Sequence, residues 1–299
     1  MKSLIPRRTI LAFLAHSLPA SAVVNISWTT IGNPGNAADT TGYGSVSYAY
    51  NIGTYDVTNA QYVEFLNAKG SSNSNGIYSW VMGTKGRQGG NITRSGASGS
   101  YSYSVSSAYA NLPVVGVTWF DAARFCNWLG NGQGSGSMET GAYTLNGANI
   151  GIIIANVEAT VFLPTEDEWY KAAYYNGATS TYSRYPNGQN TISSADANYW
   201  PASTGLVNVG YGTPSSYGAY GMGGNVNQWN DAVIGSSRGK RGGSWEDNDS
   251  AMASSFYLGS GPSYTDYMTG FRVASIIPEP SCVILTLLAS EMLLTRRKR

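Results

Sequence analysis

The chain has 299 residues, with 18 basic and 17 acidic side chains and a net charge of +1. That near balance excludes the basic stripe of a nucleic-acid binder, and two cysteines cannot supply the disulfide framework of a small secreted scaffold. Charged residues are 12% of the chain against a usual share of about 25%, while 37 Gly and 22 Tyr amid many Ser and Asn predict a loop-rich fold. Rigid aromatics interleaved with short polar residues also suit adaptable binding loops; the alternative is that they fill an irregular core.

The first segment reads as an export signal. Lys2, Arg7 and Arg8 precede an apolar run from Thr9 to Leu18, and Ala20-Ser21-Ala22 supplies the small residues of a cleavage site, so residues 1–22 are expected to be removed. The single histidine, His16, falls inside this segment. Its loss would take His-based metal chemistry and every Ser-His or Cys-His arrangement out of the remainder.

Three helices follow from capping signals. Thr58 caps a helix over Asn59 to about Ala68, with Tyr62, Phe65 and Leu66 at helical spacing and Gly70 ending it. Ser100 to Ser106 alternates Tyr101, Tyr103 and Val105 with serines, the pattern of a half-buried strand. Thr118 caps the second helix, where Trp119, Phe120, Ala123, Cys126 and Trp128 give a broad apolar surface before Gly130. Residues 131–150 form a glycine-rich excursion ending at the Asn146-Gly147 turn. Thr165, with Glu168 three residues on, forms a capping box for a third helix from Glu166 to about Tyr174. Ser244-Trp245 and Phe271 to Ala274 are expected to be late core strands.

Five blocks, in order, carry a resemblance: Tyr55 to Asn67, Pro113 to Leu129, Phe162 to Trp169, Gly224-Asn225-Val226-Asn227-Gln228-Trp229, and Arg241-Gly242-Gly243-Ser244-Trp245 closing with Gly270-Phe271-Arg272-Val273-Ala274. Together they resemble the formylglycine-generating enzyme (sulfatase-modifying factor) family. The resemblance implies an α+β, loop-rich variant of the C-type-lectin fold, with few short helices and small antiparallel sheets, over residues 23–277. It also implies an oxidase that binds copper through two cysteines placed shortly after the first-motif serine, here Ser244. Those two places hold Asp247 and Met252. A carboxylate is hard and a lone thioether weak as a ligand for Cu(I), so copper is not expected and neither is the family's reaction. The alternatives are a surviving copper oxidase, or different chemistry on the same fold. Glu246, Asp247 and Asp249 could serve acid/base work or hold a hard ion, with a solvated acidic turn as the favoured reading.

The same family often binds calcium near its Gly-Asn-Val motif, which makes Asn198, Gly221, Gly224, Val226 and Gln228 the calcium candidates. Gln228 stands where the motif has an acid, and calcium takes carboxylate oxygens, so a calcium-free turn is favoured. For a ligand groove the candidates are Trp245, Phe256, Tyr257, Tyr264, Tyr267 and Arg272. Cys126 reads as a buried small hydrophobe.

At the far end Pro278-Glu279-Pro280 precedes an apolar run from Cys282 to Leu294 and then Arg296-Arg297-Lys298-Arg299. This tail resembles the PEP-CTERM sorting signal, which implies an exosortase-type protease as partner. Thirteen residues rise only about 20 Å as a helix against a hydrocarbon core of about 30 Å, so residues 278–299 suit a transient anchor; a hydrophobic C-terminal helix is the alternative. Between the two end segments acidic side chains outnumber basic ones by four. The expectation is an exported module, non-catalytic, that binds extracellular polysaccharide or a surface protein, or serves as a structural spacer there, with no nucleic-acid partner.

Overall fold

The computed structural model describes residues 23–277. The expected export signal at 1–22 and the sorting tail at 278–299, with Pro278, Glu279 and Pro280, lie outside the described residues. In chain order the elements are β1 (Trp28–Ile31), β2 (Tyr50–Gly53), α1 (Asn59–Lys69), α2 (Trp80–Gly83), β3 (Thr93–Ser95), β4 (Ser102–Ser104), α3 (Trp119–Gly130), β5 (Val161–Phe162) and α4 (Glu166–Tyr174). After these come β6 (Tyr175–Asn176), β7 (Thr181–Tyr182), β8 (Asn227–Ile234), β9 (Ser237–Arg241), β10 (Leu258–Ser260), β11 (Thr269–Phe271) and β12 (Ala274–Ile276). The result is an α+β, loop-rich fold, as expected. No described helix is long and apolar enough to cross a membrane.

The three long helices start where their threonines direct. Thr58, Thr118 and Thr165 each hold an extended backbone, and each hydroxyl accepts the N–H of the residue three further on. Each box is closed by a side chain returning to the cap N–H: Gln61, Asp121 and Glu168 respectively. Two orphan donors are thereby satisfied at every helix start. Tyr103 is buried between exposed Ser102 and Ser104 in β4, the alternation read from the serines.

Two four-stranded sheets organise the domain, in the orders β1-β2-β12-β5 and β10-β9-β8-β11. Within the second, period-two alternation sends neighbouring side chains of β9 to opposite faces. Arg238 lies 3.9 Å over the Trp119 ring of α3 and Lys240 5.3 Å over Trp229, whereas Arg241 pairs with Glu166 of α4 at 2.5 Å. The sheet is therefore clamped between α3 and α4. The main core joins α1 and α3 through Tyr62, Phe65, Phe125 and Trp128, with Trp229 and Phe271 behind them. Cys126 is buried there, and burial pushes its thiol well above the usual range. It is a packing residue.

Two expected strands differ. Ser244-Trp245 is not strand: Gly242 (φ 97°) and Gly243 (φ 67°) turn the chain out of β9 first, a conformation open to glycine but costly for other residues. Phe271 to Ala274 is not one strand but a crossover. Phe271 ends β11 in the second sheet, paired parallel with β8, and Ala274 begins β12 in the first, paired antiparallel with β2.

Between them Arg272 is fully buried. Its Nε donates to Gln228 Oε1 at 2.6 Å, Nη1 to Gly53 O at 2.8 Å, and Nη2 to Tyr220 O at 2.8 Å and Asp56 Oδ1 at 3.4 Å. Burial pushes the Asp56 carboxyl up to about 7, while Arg272 draws it back.

Thr165→Ala should lower the free energy of unfolding by about 1 kcal/mol in urea titration, the typical value of a lost N-cap. Arg272→Leu should cost about 3–5 kcal/mol by the same measurement, because a buried acid and three acceptors lose their common donor. Burial also pushes Asp121 up from 3.8 to about 6, against its bonds from Thr118 and the nearby Arg124. A folded value above the unfolded one means that the folded state holds the proton longer, so this contribution is complete below about pH 4 and is lost as pH rises through about 6. Between those limits the urea midpoint of the parent should fall relative to that of Asp121→Asn, which keeps an acceptor for the Thr118 N–H but does not titrate.

Candidate functional site

The glycine turn after β9 delivers Ser244 into the interior, where it is fully buried. One carboxylate oxygen of Asp247 accepts both the Ser244 backbone N–H at 2.8 Å and its hydroxyl at 2.7 Å. The Asp247 N–H donates back to Ser244 O at 3.2 Å, and Asp247 O accepts from Trp200 N at 2.9 Å. Asp247 thus closes a turn on itself. Glu246 and Asp249 are exposed, and the three acids do not converge as a common site.

Met252 ends the short 3-10 turn Asp249–Met252 and is fully buried beside Tyr185, Ala197 and Ala253. Its carbonyl accepts the Tyr174 hydroxyl at 3.0 Å. The two family thiol places therefore hold a carboxylate committed to Ser244 and a thioether enclosed by apolar neighbours. These residues do not fit a soft copper ion, which favours several soft sulfur donors, where these two places offer one enclosed thioether and a hard carboxylate.

The calcium candidates separate into two groups. Gln228 is fully buried; its Oε1 accepts from Trp169 Nε1 at 2.7 Å and from Arg272 Nε, and its Nε2 donates to Gly221 O at 2.5 Å. An amide proton thus occupies the Gly221 carbonyl. Asn198 and Gly224 meet elsewhere, in a parallel bridge, and Gly224 O accepts from Val226 N at 2.8 Å. Val226 itself packs with Trp245 in an apolar cluster. Without a carboxylate among them these groups do not fit a calcium ion. Among the described residues no three His, Cys, Asp or Glu side chains form a metal cluster.

The proposed ligand groove needs correction on two residues. Arg272 is the buried junction of the two sheets, because its donors are consumed by interior acceptors. Trp245 is 5% exposed and packed on Val81, Leu112, Val115, Leu206 and Val226. Phe256, Tyr257, Tyr264 and Tyr267 are exposed, but they do not share one groove. Tyr257 lies over Arg241, 5.6 Å from its guanidinium, while Tyr264 lies over Lys240 at 5.3 Å, and those two residues point to opposite faces of β9. Tyr267 stays with the Tyr264 side, 6.1 Å from Trp245.

A different concavity went unread in the sequence. Arg87, Tyr109, Leu112, Leu206, Asn208 and Tyr211 line an open cleft of about 650 Å³. Its walls are three loops distant in the chain, none of them helix or strand, so no periodic pattern marks them. The available signal was Asn225 in the Gly-Asn-Val motif. It holds a left-handed backbone (φ 64°) and its side chain both accepts from Val207 N and donates to Val207 O, each at 3.0 Å.

Comparison with known proteins gives the lineage. The Chlamydia pneumoniae protein named serine/threonine-protein kinase pkn1 is 27% identical over 188 residues, 62% of this chain and 23% of that protein. The pkn1 of Chlamydia caviae is 27% identical over 186 residues, 61% of this chain and 22% of that protein. The chain spans under a quarter of the length of these relatives. Among solved structures, Treponema denticola variable protein 1 superposes with a TM-score of 0.59 at 21% identity, covering 86% of this chain and 98% of that one. CarF superposes with a TM-score of 0.56 at 23% identity, covering 85% and 99%. PvdO from Pseudomonas aeruginosa does so at 0.50 and 19%, covering 84% and 92%. These likenesses establish the fold. The family described as Sulfatase-modifying factor enzyme 1-like domain matches residues 36–277, and the chain belongs to it.

Proposed function

We propose that this protein is a non-catalytic member of its family, exported and used as a binding or structural module at the cell surface or in extracellular polysaccharide. The observation that carries the reading is the fate of the two thiol places. Asp247 closes the Ser244 turn with its carboxylate, and Met252 is sealed in an apolar cluster. Ser244 has no base beside it other than a carboxylate that already accepts two of its own donors. The family's oxidation therefore lacks both its metal ligands and a route to activate a serine.

Support for export comes from the end segments: a basic, apolar and small-residue start, and the Pro278-Glu279-Pro280 tail with its apolar run and basic quartet. An exosortase-type protease is the partner this tail would require, with membrane contact lasting until cleavage. Support for a binding role comes from the exposed aromatics Trp80, Trp200, Tyr257 and Tyr264, each at least half exposed, on a chain whose loops are held rigid by side-chain hydrogen bonds.

Two measurements decide this. A Cu(I) titration of the purified protein should show no tight site, and oxygen uptake with a cysteine-containing peptide should stay at background; formation of formylglycine on that peptide would overturn the reading. Co-sedimentation with polysaccharide extracted from a host that makes it should retain the protein, and failure to bind any polysaccharide or surface-protein extract would leave only a spacer.

A further inference from the structure

The cleft beside Arg87 is built to stay open. Its three walls are loops, and each is tied down by a buried asparagine. Asn91 accepts the Gly86 N–H at 2.8 Å and donates to Gly86 O and Gly89 O at 2.7 Å, holding the loop that carries Arg87. Asn59, from α1, donates to Tyr109 O at 3.1 Å. Asn225 grips Val207 through both ends of its amide. The walls are also stitched together, Leu206 N to Arg87 O at 2.7 Å and Val209 N to Asn111 O at 3.1 Å. Gly205 lets the third loop press against the first, since a Cβ there would come within 2.6 Å of Arg87 Cβ. Leu112 and Leu206 are backed by Trp245 and Val226. Three interior amides thus order backbone that has no ladder of its own, which lowers the cost of ordering loops on binding.

The chemistry of the lining is specific. Arg87 is the one charged residue among the lining residues. The ion pairs of the described residues engage Arg124, Arg238, Lys240, Arg241 and Arg272, not Arg87. Its guanidinium is thus a free planar fork, the geometry that matches a carboxylate in two parallel bonds. Tyr109 and Tyr211 line the same cleft, and the Tyr211 side chain is tethered by its hydroxyl, which donates to Ser194 O at 2.6 Å. Exposed Asn208 adds an amide able to meet hydroxyl groups. The volume of about 650 Å³ lies within the usual span of small-ligand clefts.

We infer that this cleft binds a carboxylate-bearing sugar, a uronate unit of an acidic polysaccharide, with Arg87 on the carboxylate and Tyr109 and Tyr211 against the ring. A peptide fits less well. None of the walls is a strand, so no free edge is offered for an extended main chain to pair with. The inference rests on the binding-module reading and names its ligand and its site.

The test is calorimetric titration of the purified protein with a galacturonate oligomer, with the same oligomer after reduction of its carboxyl groups, and with an acidic peptide. The parent should bind the galacturonate oligomer. Reduction of its carboxyl groups, or Arg87→Ala, should each weaken binding by about tenfold or more, the worth of a charge-assisted pair; Arg87→Lys should lose part of that affinity. Arg87 is exposed and its carbonyl remains in every variant, so the melting temperature should not move. Parent and Arg87→Ala binding within about twofold of each other would overturn the site while leaving the module reading intact. Binding of the acidic peptide but not the oligomer would overturn the sugar assignment. No binding of the oligomer, with polysaccharide extract still retained on co-sedimentation, would overturn the uronate alone; loss of both would remove the binding module as well.

Discussion

The buried Arg272 guanidinium is the constraint on which the two sheets depend. It sits at the point where the chain leaves β11 and enters β12, and it reaches one carbonyl from β2, one from the loop before β8, the Gln228 amide and the Asp56 carboxylate. Removing a charge from water costs several kcal/mol, which is recovered only when nearly every donor finds an acceptor in good geometry. The flat fork of arginine allows four acceptors from two distant stretches of the chain, residues 53–56 and 220–228, to converge on one residue. The sheets cannot slide or separate without stranding that charge.

The same residues account for what became of the family's metal places. Gln228 stands where an acid is expected, and its neutral amide does two structural tasks: Oε1 receives Arg272 and Trp169, and Nε2 covers the Gly221 carbonyl. Asp247 and Met252 are likewise turned inward, one closing a turn and the other filling a core. In a chain with only 12% charged residues, the Gln228 amide and the Asp247 carboxylate are committed to internal hydrogen bonds, and the buried acceptor left without a partner in the Gly224–Trp229 block is the neutral Asn227 Oδ1.

Loops make up most of the domain, and their order comes from side chains. Asn59, Asn91, Asn198 and Asn225 are all buried and hydrogen-bonded to loop backbone. An asparagine amide offers both a donor and an acceptor, so a single side chain can replace the ladder a strand would supply. This explains how a glycine-rich chain keeps a shaped cleft, with the conformational freedom of its backbone already removed before any ligand arrives.

The family, the α+β class and the three capped helices were legible in the residues themselves, because a helix cap is a local matter: Thr165 and Glu168 are three positions apart and satisfy each other wherever the helix ends up. Burial of Cys126 was legible for the same reason, from the apolar neighbours on its own helix. Tertiary structure decided the rest. Gly242 and Gly243 ended β9 before Ser244, since positive φ breaks the pairing that a polar and aromatic pair would otherwise continue. Arg272 was read as a surface contact and is interior, because its acceptors lie at residues 53, 56, 220 and 228, and the burial of a charge depends on partners that sequence distance conceals. Sequence alone determined the three capped helices and which family motifs are present, but not the four-residue helix α2, whose N-cap Ser79 makes no side-chain capping bond; only the folded chain could decide which polar groups face one another, because desolvation acts on neighbours in space.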